Sequence, residues 1–204
     1  MPVWPFQPHR LEAAVPHVND IRLTARGYSA TAKTLHWLIM LIVLAQFVVA
    51  LLMPNIGRNT VIEPLITRHF SLGIVILVLM AIRLVLRLRH PVALDKSELA
   101  DWERWSAYTT HGLFYFILLI GPFLGWASAS AHSLTVSVFG VIPLPSIAAP
   151  KASWALTAGD IHSFMMWVLL ALIGLHMAAA LYHHFFRHDN VLRRMLPTTS
   201  RRVD

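Results

Sequence analysis

The chain has 204 residues, of which 56% are hydrophobic and only 13% charged, about half the charged share of a soluble domain, so its surface cannot face water throughout. The absence of cysteine excludes a disulfide scaffold, iron–sulfur clusters, thiolate zinc sites and a cysteine nucleophile. A formal net charge of +7 would point to nucleic acid in a soluble chain, but in one this apolar it points to basic loops at a membrane face.

Residues 1–33 hold scattered charges and prolines and no apolar stretch with a small-residue cleavage site. They read as a flexible cytoplasmic extension rather than a signal peptide. Four windows then reach the roughly 20 apolar residues that a membrane-crossing helix needs. The first covers about 34–53 and stops before Pro54. The second covers about 64–86, with Pro64 suited to a first helical turn. The third covers about 106–128, with a bend expected at Gly121 and Pro122. The fourth covers about 158–186 and is longer than a bilayer requires. Residues 188–204 form a basic tail.

Loop charges orient these spans. Thirteen of the seventeen basic residues fall before the first span, between the second and third, or after the fourth. The opposite side has only Arg58, Arg68 and Lys151. The positive-inside rule then places both termini in the cytoplasm and loops 54–63 and 129–157 outside.

The twelve histidines sort by depth. A single histidine at a membrane boundary ordinarily presents its polar tip to water, and His9, His17, His90, His132 and His188 are read so. His162 and His176 are different. They lie 14 residues apart, close to four helical turns, so they share a face about 21 Å apart along the axis. One metal ion cannot join them, but two stacked sites can. Near the outside the available partner for His162 is His69. Near the cytoplasm His36 and His111 are both candidates for His176, and spacing alone does not choose. Imidazole is a common axial ligand of haem iron, and two such ligands favour electron transfer over oxygen binding. A proton relay would normally include intramembrane carboxylates, which the four windows lack apart from Asp160 at a boundary. The eight methionines form no cluster at the histidine levels that would suit copper.

Several segments carry a resemblance. These are T-L-H-W at Thr34 to Trp37, R-H-F-S-L-G at Arg68 to Gly73, M-A-I-R-L-V-L-R-L at Met80 to Leu88, H-G at His111 and Gly112, and G-P-F-L-G at Gly121 to Gly125. The most specific is I-G-L-H-M-A-A-A-L-Y-H-H-F-F-R-H-D-N-V-L-R-R-M-L-P from Ile173 to Pro197. Over about residues 30–197 the chain resembles the bacterial cytochrome b561 family, in particular its superoxide oxidase-like members. The resemblance implies an all-α, integral membrane four-helix bundle in the bacterial inner membrane, with two b-type haems between the helices. It implies His36 and His176 on the inner haem iron, and His69 and His162 on the outer one, so the family favours His36 over His111. It implies electron transfer from superoxide to ubiquinone, with His183 at the quinone. Arg68, next to His69, is a candidate for steering the superoxide anion. Arg83 and Arg87 are candidates for haem propionates or for lipid phosphate. The alternative is a membrane-anchor relay between the quinone pool and a periplasmic redox protein; the short, weakly charged outer loops offer little docking surface for one. No nucleic acid and no obligate protein partner are expected.

Overall fold

A computed structural model describes residues 29–57, 59–89 and 100–196. The expectations for the extension before residue 29, for Arg58, Lys96 and His90, and for the tail beyond residue 196 lie outside the described residues. The elements are α1 (Ala30–Leu52), α2 (Pro64–Arg89), α3 (Asp101–Ala131), β1 (Ser137–Val138), β2 (Ile142–Pro143) and α4 (Ser153–Phe185).

All four helices are long and apolar enough to cross a membrane, and they lie where the hydropathy windows put them. Three of them begin four or five residues early, and in α1 and α3 the cause is visible in the first turn. At α1, Ser29 is the cap, and its hydroxyl accepts the Ala32 N–H at 3.2 Å. At α3, the added turn carries Asp101, Glu103 and Arg104 beside exposed Trp102 and Trp105. These are residues for the headgroup layer, not for hydrocarbon. A hydropathy window sees only the apolar part of a helix. The helix α3 runs through Pro122 without a break, although proline cannot donate to the Leu118 carbonyl one turn back.

Outward-facing positions are apolar. Leu41, Val48, Val78, Phe116, Phe164 and Leu175 are all exposed, the inverse of a soluble bundle. Inward-facing positions of all four helices meet in one layer made of Ile39, Val43, Ile76, Met80, Ile117, Met165 and Leu169. This layer lies between the levels of His162 and His176. Among the described residues, α1 packs on α2, α2 on α3 and α3 most extensively on α4, with no close backbone approach between α1 and α4. The α3–α4 contact is tight because it is lined by small residues. Ala127, Ala131, Ala155 and Ala158 are buried together, and Gly159 lies against Ser128.

The connection between α3 and α4 is not wholly irregular, as an all-α expectation would have it. It contains the short antiparallel hairpin β1–β2, pairing Ser137 with Pro143 and Val138 with Ile142. Gly140, at φ +73°, makes its turn. The hairpin is fastened to α2: the Phe139 N–H donates to the Ser71 hydroxyl at 2.7 Å. Beneath it, Leu134 and Val136 bury against Ile66 and Phe70.

Residues 191–196 form turns that fold back over the start of α1. The Trp37 indole N–H donates to the Met195 carbonyl at 2.9 Å, and the Lys33 ammonium to the Leu196 carbonyl at 3.1 Å. The end of the bundle that holds this segment is called the terminal end below, and the opposite one the hairpin end.

Candidate functional site

His69 enters from the first turns of α2 and His162 from the upper part of α4, both at the hairpin end. Their ring centroids are 6.2 Å apart, with the planes at 87°. His36, in the second turn of α1, and His176, on α4, meet at the terminal end at 6.4 Å. Imidazole nitrogens sit about 2.0–2.1 Å from a bound transition metal, so two rings on opposite sides of one ion have centroids about 6 Å apart. Both pairs have that spacing. Among the described residues no cluster of three or more histidine, aspartate or glutamate side chains has metal-site geometry.

The side chains around each pair fix the rings. His162 donates its Nδ1–H to the Gly121 carbonyl at 2.8 Å. A carbonyl can only accept, so the proton is on Nδ1 and Nε2 keeps its lone pair. Gly125 leaves room for the ring, because a Cβ there would be 3.2 Å from His162 Cε1. His69 Nδ1 lies 3.0 Å from the Gln46 side-chain amide nitrogen. At the terminal end His176 is packed by Phe114, at 5.5 Å between centroids, and by His111, at 5.7 Å. Both histidines left open by the spacing argument are therefore beside His176. His111 bonds through Nδ1 to its own Ala107 carbonyl at 2.6 Å, and its Nε2 is left as the free nitrogen.

The donor set suits a haem: paired imidazoles set among apolar side chains of the four helices. At the hairpin end, on α1 and α3, two buried polar atoms, Gln46 Oε1 and Trp126 Nε1, have no hydrogen-bond partner among the described residues. A buried polar atom without a partner is compatible with a site that takes a further group.

The remaining sequence candidates are placed as follows. Arg68 is exposed at the start of α2 and lines a surface pocket of about 360 Å³ with Pro64, Thr67, Ser71 and Phe139. Arg83 donates to the Ala32 carbonyl at 3.2 Å, which ties the end of α2 to the start of α1. Arg87 is half-buried on the same end of α2, within electrostatic reach of His111. His183, in the last turn of α4, bonds through Nδ1 to the Asp189 carboxylate at 2.5 Å. Arg187 bonds to Glu103 at 2.6 Å and approaches Asp189 at 3.9 Å. Glu103 is buried and also accepts the Ala100 N–H at 2.9 Å.

Burial pushes the Asp189 carboxyl up, but the hydrogen bonds from His183 and the Val191 N–H, with the charges of His183 and Arg187, outweigh it and hold the group below the usual carboxylate range.

Sequence reasoning missed Gln46, Glu103 and Asp189. Gln46 had a visible signal, since it is the one carboxamide in the apolar run from Leu38 to Leu52. Glu103 and Asp189 had none, because carboxylates near helix ends ordinarily face water.

Comparison with known proteins supports one family. The family model for prokaryotic cytochrome b561 matches residues 27–198. The chain is similar to the "Probable superoxide oxidase CybB" of Yersinia pestis, at 30% identity over 173 residues, which cover 84% of this chain and 97% of that one. It is similar to "Cytochrome b561 homolog 2" of Escherichia coli (strain K12), at 28% identity over 178 residues, 87% of this chain and 95% of that one. "Cytochrome b561 homolog 1" of the same strain is 28% identical over 171 residues, 83% of this chain and 97% of that one.

Proposed function

The chain belongs to the prokaryotic cytochrome b561 family of membrane electron-transfer proteins, and from that premise we propose that it moves electrons from superoxide at the hairpin end to ubiquinone at the terminal end. The observation that carries this reading is the pair of imidazole couples, 6.2 Å and 6.4 Å between centroids, at opposite ends of one apolar bundle. The proposed orientation puts the hairpin end outside the inner membrane and both termini in the cytoplasm, in keeping with the loop charges.

Haem b, normal to the family, supplies one-electron exchange when bound. His69 and His162 would hold it at the hairpin end, and His36 and His176 at the terminal end; the T-L-H-W motif favours His36 over His111. The layer around Ile76, Ile117 and Leu169 excludes water between the two levels. Arg68, exposed beside His69, draws a small anion to this end. Arg87 would be the freer of the two arginines to meet a propionate or a lipid phosphate, since the Arg83 guanidinium is engaged by the Ala32 carbonyl.

Reduction of one quinone consumes two electrons and two protons, and two superoxide ions are released as dioxygen. His183 supplies protons at the terminal end. Its Nδ1–H is held by Asp189, which leaves Nε2 as the ring nitrogen that meets a quinone.

The test mixes the purified protein, oxidised and with haem bound, with generated superoxide and a soluble ubiquinone analogue. The reading expects haem reduction that outruns spontaneous dismutation, followed by reoxidation on adding quinone. Failure of superoxide to reduce the protein overturns it, and reduction only by a docked redox protein would make the chain a membrane relay.

A further inference from the structure

The two histidines at the hairpin end are held by different chemistry. The His162 ring is held by the Gly121 carbonyl at 2.8 Å, a pure acceptor that fixes the proton on Nδ1. The His69 ring is held by a carboxamide, which is donor on one side and acceptor on the other. The Gln46 nitrogen lies 3.0 Å from His69 Nδ1 and 3.0 Å from the His69 backbone carbonyl. Its Oε1 is buried without a partner among the described residues.

That arrangement has a consequence for the proton inventory. While the amide N–H donates to Nδ1, a neutral His69 carries its proton on Nε2. A metal on Nε2 needs that nitrogen bare, so a neutral imidazole must then carry its proton on Nδ1. The Nδ1–H requires an acceptor, and the Gln46 carboxamide is the group within reach. Turning the amide by half a rotation presents Oε1 to Nδ1–H. It takes up the oxygen that is orphaned now, at the cost of the bond to the His69 carbonyl, from which Oε1 must then shift away. A leucine or alanine at position 46 could hold neither form.

We propose that Gln46 is the positioning residue of the hairpin-end ligand: it orients the His69 ring and, by the side of the carboxamide it presents, sets the proton on Nδ1 and so the donor strength of Nε2 toward iron. This rests on the reading of His69 as an axial ligand. A stronger acceptor at Nδ1–H gives the imidazole more anionic character and stabilises ferric over ferrous iron. The potential of this haem is therefore under the control of a residue on α1, a helix that supplies no ligand to it.

The test uses the full chain with both haems bound and compares Gln46→Leu and Gln46→Glu by redox titration, following each haem by its low-spin electron paramagnetic resonance signal. The expected result is that Gln46→Leu raises the midpoint potential of the hairpin-end haem, Gln46→Glu lowers it, and the other haem stays in place in both. Equal potentials in all three proteins, or shifts of the same sign, overturn the proposal. Should Gln46→Leu fail to assemble, Gln46→Glu decides alone: a lowered potential upholds the assignment and an unchanged one ends it. His69→Ala separates the two layers of the argument. If it retains both haems, the ligand reading itself has failed. If it loses one haem while the Gln46 variants leave the potential unmoved, only the role of Gln46 has failed.

Discussion

Arg187, just beyond the end of α4, bonds at 2.6 Å to Glu103 in the first turn of α3, across 84 residues of sequence. The Glu103 side chain is 5% exposed and that of Arg187 37%. One carboxylate oxygen takes the guanidinium and the other takes the Ala100 N–H that opens α3. Glu103 thus caps one helix and anchors another. Breaking a fully buried pair costs about 3–5 kcal/mol, and the exposure of Arg187 to solvent reduces this to about 1–3 kcal/mol. Glu103→Ala is expected to lower the thermal midpoint in detergent by an amount of that order. An unchanged midpoint would mean that the pair contributes nothing.

Asp189 gives a pH dependence with a definite sign. Its carboxyl is held below the usual range by His183, the Val191 N–H and Arg187. A group depressed on folding adds stability that is complete above its unfolded pKa, about 3.9 for aspartate, and is lost as pH falls through the lower folded value. The difference in stability between the native chain and Asp189→Asn should therefore shrink as pH falls below about 4. A difference that instead grows toward acid would reverse the assignment. Unfolding followed by circular dichroism at fixed detergent is the measurement.

The histidine pairs predict a stoichiometry. His69→Ala and His176→Ala should each bind one haem where the native chain is expected to bind two, and each should retain a different spectral component. His111→Ala should keep both, because the family motif assigns His36 as the partner of His176. Loss of a haem from His111→Ala, with both kept in His36→Ala, would exchange the two roles. Pyridine haemochrome analysis of the purified variants decides between them.

Two glycines on the α3–α4 seam fail in different ways when substituted. A Cβ at Gly159 would come to 2.4 Å from Ser128 Oγ and 3.0 Å from its Cβ, so Gly159→Ala forces the helices apart at a cost of about 1–3 kcal/mol. Ser128→Gly should recover most of that loss. A Cβ at Gly125 would instead press on the His162 ring at 3.2–3.3 Å. Gly125→Val should disturb the hairpin-end haem selectively, visible as a changed resonance signal for that haem alone. Equal disturbance of both haems would point to a general loss of packing.

Arg68 should act through charge. With Arg68→Gln, the rate of haem reduction by superoxide should fall several-fold at low salt and converge with the native rate at about 1 M ionic strength, where the screening length is about 3 Å. A salt-independent difference would argue against steering. Stopped-flow absorbance at a series of salt concentrations makes the comparison.

The sequence by itself determined the four spans and the levels of the histidines. Burial in a bilayer is decided residue by residue along about 20 positions, and the fixed rise of a helix turns the interval from His162 to His176 into depth. It also marked the ends of the helices as polar without fixing where they begin, since a headgroup-facing turn such as Asp101–Arg104 has no hydropathy signal. Only the tertiary structure decided which residues meet across the bundle. It brought both His36 and His111 to His176, gave His69 a carboxamide and His162 a carbonyl, and folded residues 191–196 over Trp37. It also turned Glu103 and Asp189, apparently surface acids, into partners of Arg187 and His183. These contacts depend on which helix neighbours which and on how closely glycines such as Gly125 and Gly159 let them approach. No local pattern encodes that, because the partners are brought together by packing across sequence separations of 23 residues for Gln46 and His69 and 84 for Glu103 and Arg187.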